Sequence, residues 1–281
     1  KTAARAGEIK EFMGHVIEPE ERTLNNYTNI DFWLEKRKLY RELREKEKQD
    51  QNVYQTLSDG ASPTLEYYIL TVLSCIIATA GLLQGSTAVI IGAMIVAPLM
   101  TPILAFSLGV IWGDIVLIRT SAFSLLKGIF ISLVISSVIA FAIPMEGYSS
   151  EIMARTTPNI FDIIVAFASG LVGAYGNANK RISNTLVGIA IAVALMPPLS
   201  TIGIGIGTLK MDIASGASLL FFINLVSISP AGAVVFWSMS IHPVNASDQA
   251  VRKRALSQII ISLIILTAIA LPVGFYMKNT Y

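Results

Sequence analysis

From Leu65 onward the chain is a succession of apolar runs, each about as long as a bilayer is thick. A helix that spans a bilayer needs ~20 predominantly apolar residues. Seven segments qualify: Leu65–Leu83, Thr87–Ile111, Phe123–Ile143, Ile160–Gly176, Thr185–Leu209, Leu219–Met239 and Leu256–Tyr276. The second is interrupted by Pro98 and Pro102, the fifth by Pro197 and Pro198, and the sixth contains Pro230. The runs are continuous rather than alternating, which excludes an outer-membrane barrel. Residues 65–281 hold only 10 Lys/Arg and 7 Asp/Glu. So few charges cannot clothe a segment of that length in a water-compatible surface, but the segment can face lipid. The expected fold is an all-α polytopic membrane protein with about seven transmembrane helices.

The N-terminal part differs. Residues 1–64 carry 11 Lys/Arg against 12 Asp/Glu, a balance that leaves no basic surface for nucleic acid. The expected division is a charged segment, residues 1–62, followed by a transmembrane domain, residues 63–281. A helix is expected from Asn29 or Asp31 to about Leu57, with Phe32, Leu39, Leu43, Val53 and Leu57 as a broken apolar stripe. It either lies at the membrane surface or on the membrane domain, or pairs with a second subunit. Asp59-Gly60-Ala61-Ser62-Pro63 is expected to end it. Lys1–Gln55 has no apolar core of signal-peptide length. The chain opens on Lys1 rather than Met, so a preceding segment is expected. Cys75, inside an apolar run, reads as a small buried hydrophobe.

Orientation follows from the loop cations. With the N-terminus in the cytoplasm, Arg119, Lys127, Lys180, Arg181 and Arg252-Lys253-Arg254 fall on the cytoplasmic side. The outer side then holds Arg155, Lys210 and Lys278 beside Glu146, Glu151 and Asp212. Seven spans satisfy the bias at every connection, so the N-terminus is expected on the cytoplasmic side.

Two stretches repeat at an offset of 96 residues: Gly92, Ile95, Leu99, Met100, Pro102 and Gly109 recur as Gly188, Ile191, Leu195, Met196, Pro198 and Gly205. The same offset lays the first span on the fourth and the third on the sixth. The repeats cover about 65–143 and 160–239, with 256–276 as an added last span. Three spans is an odd number, so the copies cross in opposite senses. Such three-plus-three inverted repeats occur in secondary transporters, where corresponding interrupted helices mark the site. Proline removes a backbone donor, and an unpaired carbonyl at membrane depth needs protein, water or solute. A proline kink without further role is the other reading.

The stretches GLLQGSTAVIIGAMIVAPLMTPILAFSLGVIWGD (81–114), ARTTPNIFDIIVAFASGLVGAYGNANKR (154–181) and LVGIAIAVALMPPLSTIGIGIG (186–207) resemble the bacterial and archaeal membrane family known as domain of unknown function 389. The likeness covers roughly residues 62–240. It implies a multi-pass protein of the cytoplasmic membrane and brings no catalytic or binding residues.

No nucleophile–base pair, phosphate-binding loop or metalloprotease motif is present, so no enzyme, catalytic residue, metal or cofactor is expected; His15 and His242 are far apart. Pro98, Thr101, Pro102, Pro197, Pro198, Ser200 and Thr201 are the candidate solute or ion site at the helix breaks, against ordinary packing or capping roles for the hydroxyls. Glu66 and Lys127 lie near span ends and can snorkel. Asp162, beside the caps Thr157 or Asn159, either supports the helix start or forms with Arg155 an acidic gate or cation mouth. Asn224, Ser227 and Ser229 form a polar face, either helix glue or part of the path.

The expected function is a transporter or channel-like permease for a small solute or ion. The rival is a non-transporting scaffold or stress sensor signalling through its N-terminal segment. Small-residue faces, Ser132-Ser136-Ala140 and Ala231-Gly232-Val235, suggest a homo-oligomer, most simply a dimer.

Overall fold

The computed structural model describes residues 30–143, 147–179, 195–243 and 248–280. Among them only helices occur. They are α1 (Ile30–Ala61), α2 (Leu65–Gln84), α3 (Thr87–Val96), α4 (Met100–Trp112), α5 (Ile115–Ala142), α6 (Ser150–Met153), α7 (Ile160–Ala178), α8 (Met196–Gly207), α9 (Met211–Ser238) and α10 (Asp248–Thr280). Two compact units divide the chain at Asn52/Val53, within α1. The first is charged and helical from Ile30. The second carries everything below. His15, Lys180 and Arg181, the repeat residues Gly188 and Ile191, and the first half of the expected fifth span lie outside the described residues.

α2, α5, α7 and α9 are each long and apolar enough to cross a membrane, and α3 with α4 passes as one span bent by 46°. Their outward faces are apolar: Ile69, Leu73 and Ile76 on α2, and Phe123, Phe130 and Phe141 on α5, are exposed. In water such a surface would be an aggregation liability, whereas against lipid tails it costs nothing. The inward faces are built of small residues. α5 buries Ser121, Ser124, Gly128, Ser132, Ser136 and Ala140 at helical spacing; α7 buries Ala166, Ser169, Gly170, Gly173 and Ala174. Small side chains let helix axes approach, and packing is what drives helix association in lipid. The two faces expected to meet a second copy are therefore spent inside the chain. Ser136 meets Gly203 of α8, and Ala231 and Val235 are buried.

α4 and α8 stand at the centre. α4 packs on α5 and α9, and α8 packs on α5, α9 and α2; α7 lies along α9, and α10 against α9 and α4. Leu99, Ile103, Leu104, Leu108, Met196 and Leu199, all at or just after the helix breaks, are fully buried. Three expectations of extent are corrected. α1 runs through Asp59 and Gly60 to Ala61, because Gly60 packs against the Thr101 methyl and Leu57 and Ala61 are fully buried. α5 begins at Ile115 rather than Phe123, and α9 at Met211 rather than Leu219. The alternating Gly203-Ile204-Gly205-Ile206-Gly207 run is helical, with Gly203 and Gly205 buried.

Asp114 starts α5. Its carboxylate accepts from the Val116 and Leu117 amides at 2.8 and 3.1 Å and from the Tyr54 hydroxyl at 2.5 Å. Tyr54 in turn stacks on Trp112 at 4.5 Å. The Tyr54 bond, then the amides, hold the Asp114 carboxyl below the usual range despite partial burial. The same bond, with burial, pushes Tyr54 up to about 12. A depressed carboxyl contributes stability above its unfolded pKa and loses it as pH falls through the folded value. A raised phenol contributes below its unfolded pKa of 10.0 and loses this as pH rises toward about 12. Asp114→Asn is expected to flatten the acid side of a melting-temperature-versus-pH curve. Asp114→Ala also loses the cap, costing about 1 kcal/mol at neutral pH.

Candidate solute cleft at the helix breaks

α3 stops at Val96 because Ala97 turns extended (ψ 121) ahead of Pro98, as residues preceding proline do. α4 then restarts at Met100. Pro102 is its third residue; Pro197 and Pro198 are the second and third residues of α8. The first helical turn has amides with no intrahelical acceptor, so proline loses nothing there. The prolines thus open new half-helices rather than kinking old ones, and the expected unpaired carbonyl opposite each proline does not arise from them. Pro102→Ala and Pro198→Ala are accordingly expected to change stability by less than about 1 kcal/mol, measured by thermal unfolding in detergent.

The candidates at the breaks separate. Ser200 and Thr201 are fully buried. Thr201 donates to the Pro197 carbonyl at 2.9 Å, and the Ser200 hydroxyl lies 3.9 Å from the Cys75 sulfur. Thr101 is half-buried beside Gly60, and Pro98 half-buried in the break itself. Pro198 lines an open space.

That space is a cleft of about 270 Å³ lined by Glu151, Arg155, Asp162, Pro198, Leu220 and Asn224. It brings together one proline of the second break, both members of the expected gate, and the first residue of the expected polar face. Asn224 lies 13 residues into α9, or about 20 Å along its axis at 1.5 Å per residue, so the cleft reaches mid-span.

The gate is wired differently from the expectation. Arg155 pairs with Glu151 at 2.9 Å and also donates to the Glu151 carbonyl. Glu151 accepts from Thr87 at 2.6 Å. The Thr87 bond, then Arg155, keeps its carboxyl below the usual range. Asp162 closes a capping box at the start of α7: the Asn159 amide donates to it at 2.7 Å, while the Asn159 side chain accepts from the Phe161 amide at 2.8 Å. Two carboxylates and one guanidinium leave the mouth with one net negative charge. Glu151 was read from the sequence only as a loop charge; its i,i+4 spacing to Arg155 was the available signal.

The expected polar face divides. Asn224 faces the cleft. Ser227 bonds back to the Ile223 carbonyl at 2.7 Å. Ser229, five residues on, turns toward α4 and α10: Ser107 donates to its carbonyl at 2.7 Å, and the Gln258 amide donates to its hydroxyl at 2.7 Å.

Helices, apolar outer faces, a span broken at mid-length and a polar cleft reaching a second helix start define an all-helical protein of the membrane-spanning class. Residues 94–229 match the model of the family described as "Domain of unknown function (DUF389)", so the resemblance carried by the sequence stretches above holds over those residues. The chain is 31% identical over 193 residues to the uncharacterized protein MJ0678 of Methanocaldococcus jannaschii, an alignment covering 69% of this chain and 60% of that protein. No solved structure matches.

Proposed function

We propose that the chain is a permease for a small polar solute or ion, built from two inverted three-span repeats, 65–143 and 160–239, plus a last span in α10. In this reading seven spans lie in a cytoplasmic membrane with the N-terminus inside. The observation that carries it is the cleft, which leads to the start of α8, the half-helix that corresponds to α4 at an offset of 96.

Geometry at that offset supports the repeat. α4 and α8 start at the corresponding residues Met100 and Met196. They end in the same hydrogen-bonded turn: Asp114 N to Gly109 O at 2.9 Å, and Lys210 N to Gly205 O at 2.8 Å. Gly113 and Leu209, also 96 apart, are both left-handed, with φ of 71 and 59. Few non-glycine residues adopt that conformation, so a shared constraint imposes it. Ser107 meets Gly232 as Gly203 meets Ser136, the same contact with serine and glycine exchanged. The helix pairings α4–α9 and α8–α5 also correspond.

Purified protein in liposomes loaded with potassium, ammonium, guanidinium, chloride or urea tests the reading. Efflux of at least one of these above that of empty liposomes is expected; protein-loaded liposomes as tight as empty ones to all five would sink it.

A further inference from the structure

The open cleft lies at one end of the bundle, and the repeat gives it a counterpart. We propose that the chain holds a second mouth for the same solute, closed in this conformation, at the end where α1 meets α2, and that Tyr67 is its plug. This rests on the permease reading and adds a second site to it.

The offset of 96 carries Asp162, Pro198, Leu220 and Asn224 of the open cleft onto Glu66, Pro102, Ser124 and Gly128. Where Asn224 borders open space, Gly128 leaves a notch, and the Tyr67 ring fills it. A Cβ on Gly128 would strike the Tyr67 hydroxyl, and that hydroxyl donates to the Ser124 carbonyl at 3.0 Å. Tyr67 is 4% exposed. Leu99, from the first helix break, closes the notch from the other side. The last turn of α1 completes the closure through Gly60 against Thr101. At the matching point of the second repeat the chain has Thr156, in the connection between α6 and α7; its backbone packs on Gly216 of α9, and the neighbouring Arg155 lines the open cleft.

A second observation marks the closed side as more than packing. The hydroxyls of Ser121 and Ser124 are buried with no hydrogen-bond partner among the described residues. Their spacing puts them on one face of α5 together with Gly128. Buried polar groups are paired with few exceptions, and serine on a helix readily bonds its own backbone, as Ser136 does to Ser132 O at 2.6 Å. Two unpaired hydroxyls beside a plug are what a path leaves when it is wet in one conformation and shut in another. Two mouths related by an inverted repeat are opened in turn by one repeat moving against the other. Each mouth has one carboxylate in the first turn of its helix, Glu66 of α2 and Asp162 of α7. The solute accepted at both ends is therefore a small cation or a neutral hydrogen-bond donor rather than an anion.

The test uses the full chain in oriented vesicles, with Cys75→Ala as background and Ser124→Cys as a near-isosteric probe. A membrane-impermeant methanethiosulfonate is added to one side at a time. Slow modification from the α1 side is expected, about tenfold faster with Tyr67→Ala, because removing the plug shifts the population toward the open mouth. Tyr67→Leu, which removes the hydroxyl and part of the ring, should raise the rate less and serves if Tyr67→Ala does not fold, whereas Tyr67→Phe, which keeps the ring, should stay near the parent rate. Modification from the opposite side only, or a rate indifferent to Tyr67, would overturn the second mouth. Efflux measured on the same vesicles separates the two ideas. Modification as expected without efflux keeps the mouth and rejects the permease; efflux with an unreactive Ser124→Cys does the reverse.

Discussion

Asn224→Leu is expected to cut efflux of the transported solute at least about tenfold while leaving the protein folded. Asn224 is 5% exposed, on the mid-span wall of the cleft and one turn from Leu220. Leucine is close to asparagine in size and is at home in a membrane helix, so the stability change should stay within about 1 kcal/mol. It does remove the polar group that α9 offers to a solute at that depth. Losing one polar contact in a water-poor site is worth about 1–3 kcal/mol, and a tenfold change in rate is about 1.4 kcal/mol. Asn224→Gln keeps an amide and should lose less. Efflux from loaded proteoliposomes, with melting temperature in detergent as the folding control, gives the answer. An Asn224→Leu variant that melts normally and conducts normally would place the path elsewhere.

The largest loss of stability is expected at Ser107→Val. Ser107 is fully buried where α4 crosses α9. Its hydroxyl donates to the Ser229 carbonyl at 2.7 Å, lies 3.1 Å from the Ser229 hydroxyl, and meets the Gln258 amide of α10 at 3.4 Å. Three helices are joined at this point, next to Pro230, which removes a backbone donor from α9. Valine deletes the hydrogen bonds and adds a branched methyl opposite Gly232, whose Cα already lies against Ser107. Lost interhelical bonds cost about 1–2 kcal/mol in a membrane, and overpacking adds about 1–3 kcal/mol. The total expected is about 2–5 kcal/mol. Ser107→Ala, which only loses the bonds, should cost roughly half. Thermal unfolding in one detergent compares the two; equal melting temperatures for Val, Ala and parent would contradict the packing described.

Much of this was legible residue by residue. The limits of α2 and α7 matched the expected first and fourth spans closely, because Thr64 and Asn159 cap them where the apolar runs begin. α5 and α9 were read short because Arg119 and Asp212 interrupt the apolar count, although a helix tolerates a charge on an end turn that reaches the interface. The end of α1 was misplaced for another reason: Gly60 reads as a breaker, but burial against Thr101 overrides its propensity. At the site, Arg155, Asp162, Pro198 and Asn224 were each conspicuous as polar or breaking residues in apolar surroundings. Their convergence on one cleft was not visible, because it depends on how α7, α8 and α9 pack. The Arg155 partner was misassigned for the same reason. Asp162 stands out as the acid at the start of a long apolar helix, yet it is Glu151, one helical turn before Arg155, that pairs with it at 2.9 Å. The role of the prolines turned on one residue of register, since a proline in a first turn and a proline one turn later look alike in sequence.

A permease with paired mouths requires the two repeats to cross the membrane in opposite directions. Ile115 and Met211 are 96 residues apart, each is the first residue of its helix, and both are well exposed. In a Cys75→Ala background, Ile115→Cys and Met211→Cys can be treated separately with an impermeant thiol reagent on intact cells and on inverted vesicles. Met211→Cys is expected to be modified from outside only and Ile115→Cys from the cytoplasmic side only. Modification of both from the same side would mean that the repeats are parallel, and the paired mouths and the permease built on them would fall together.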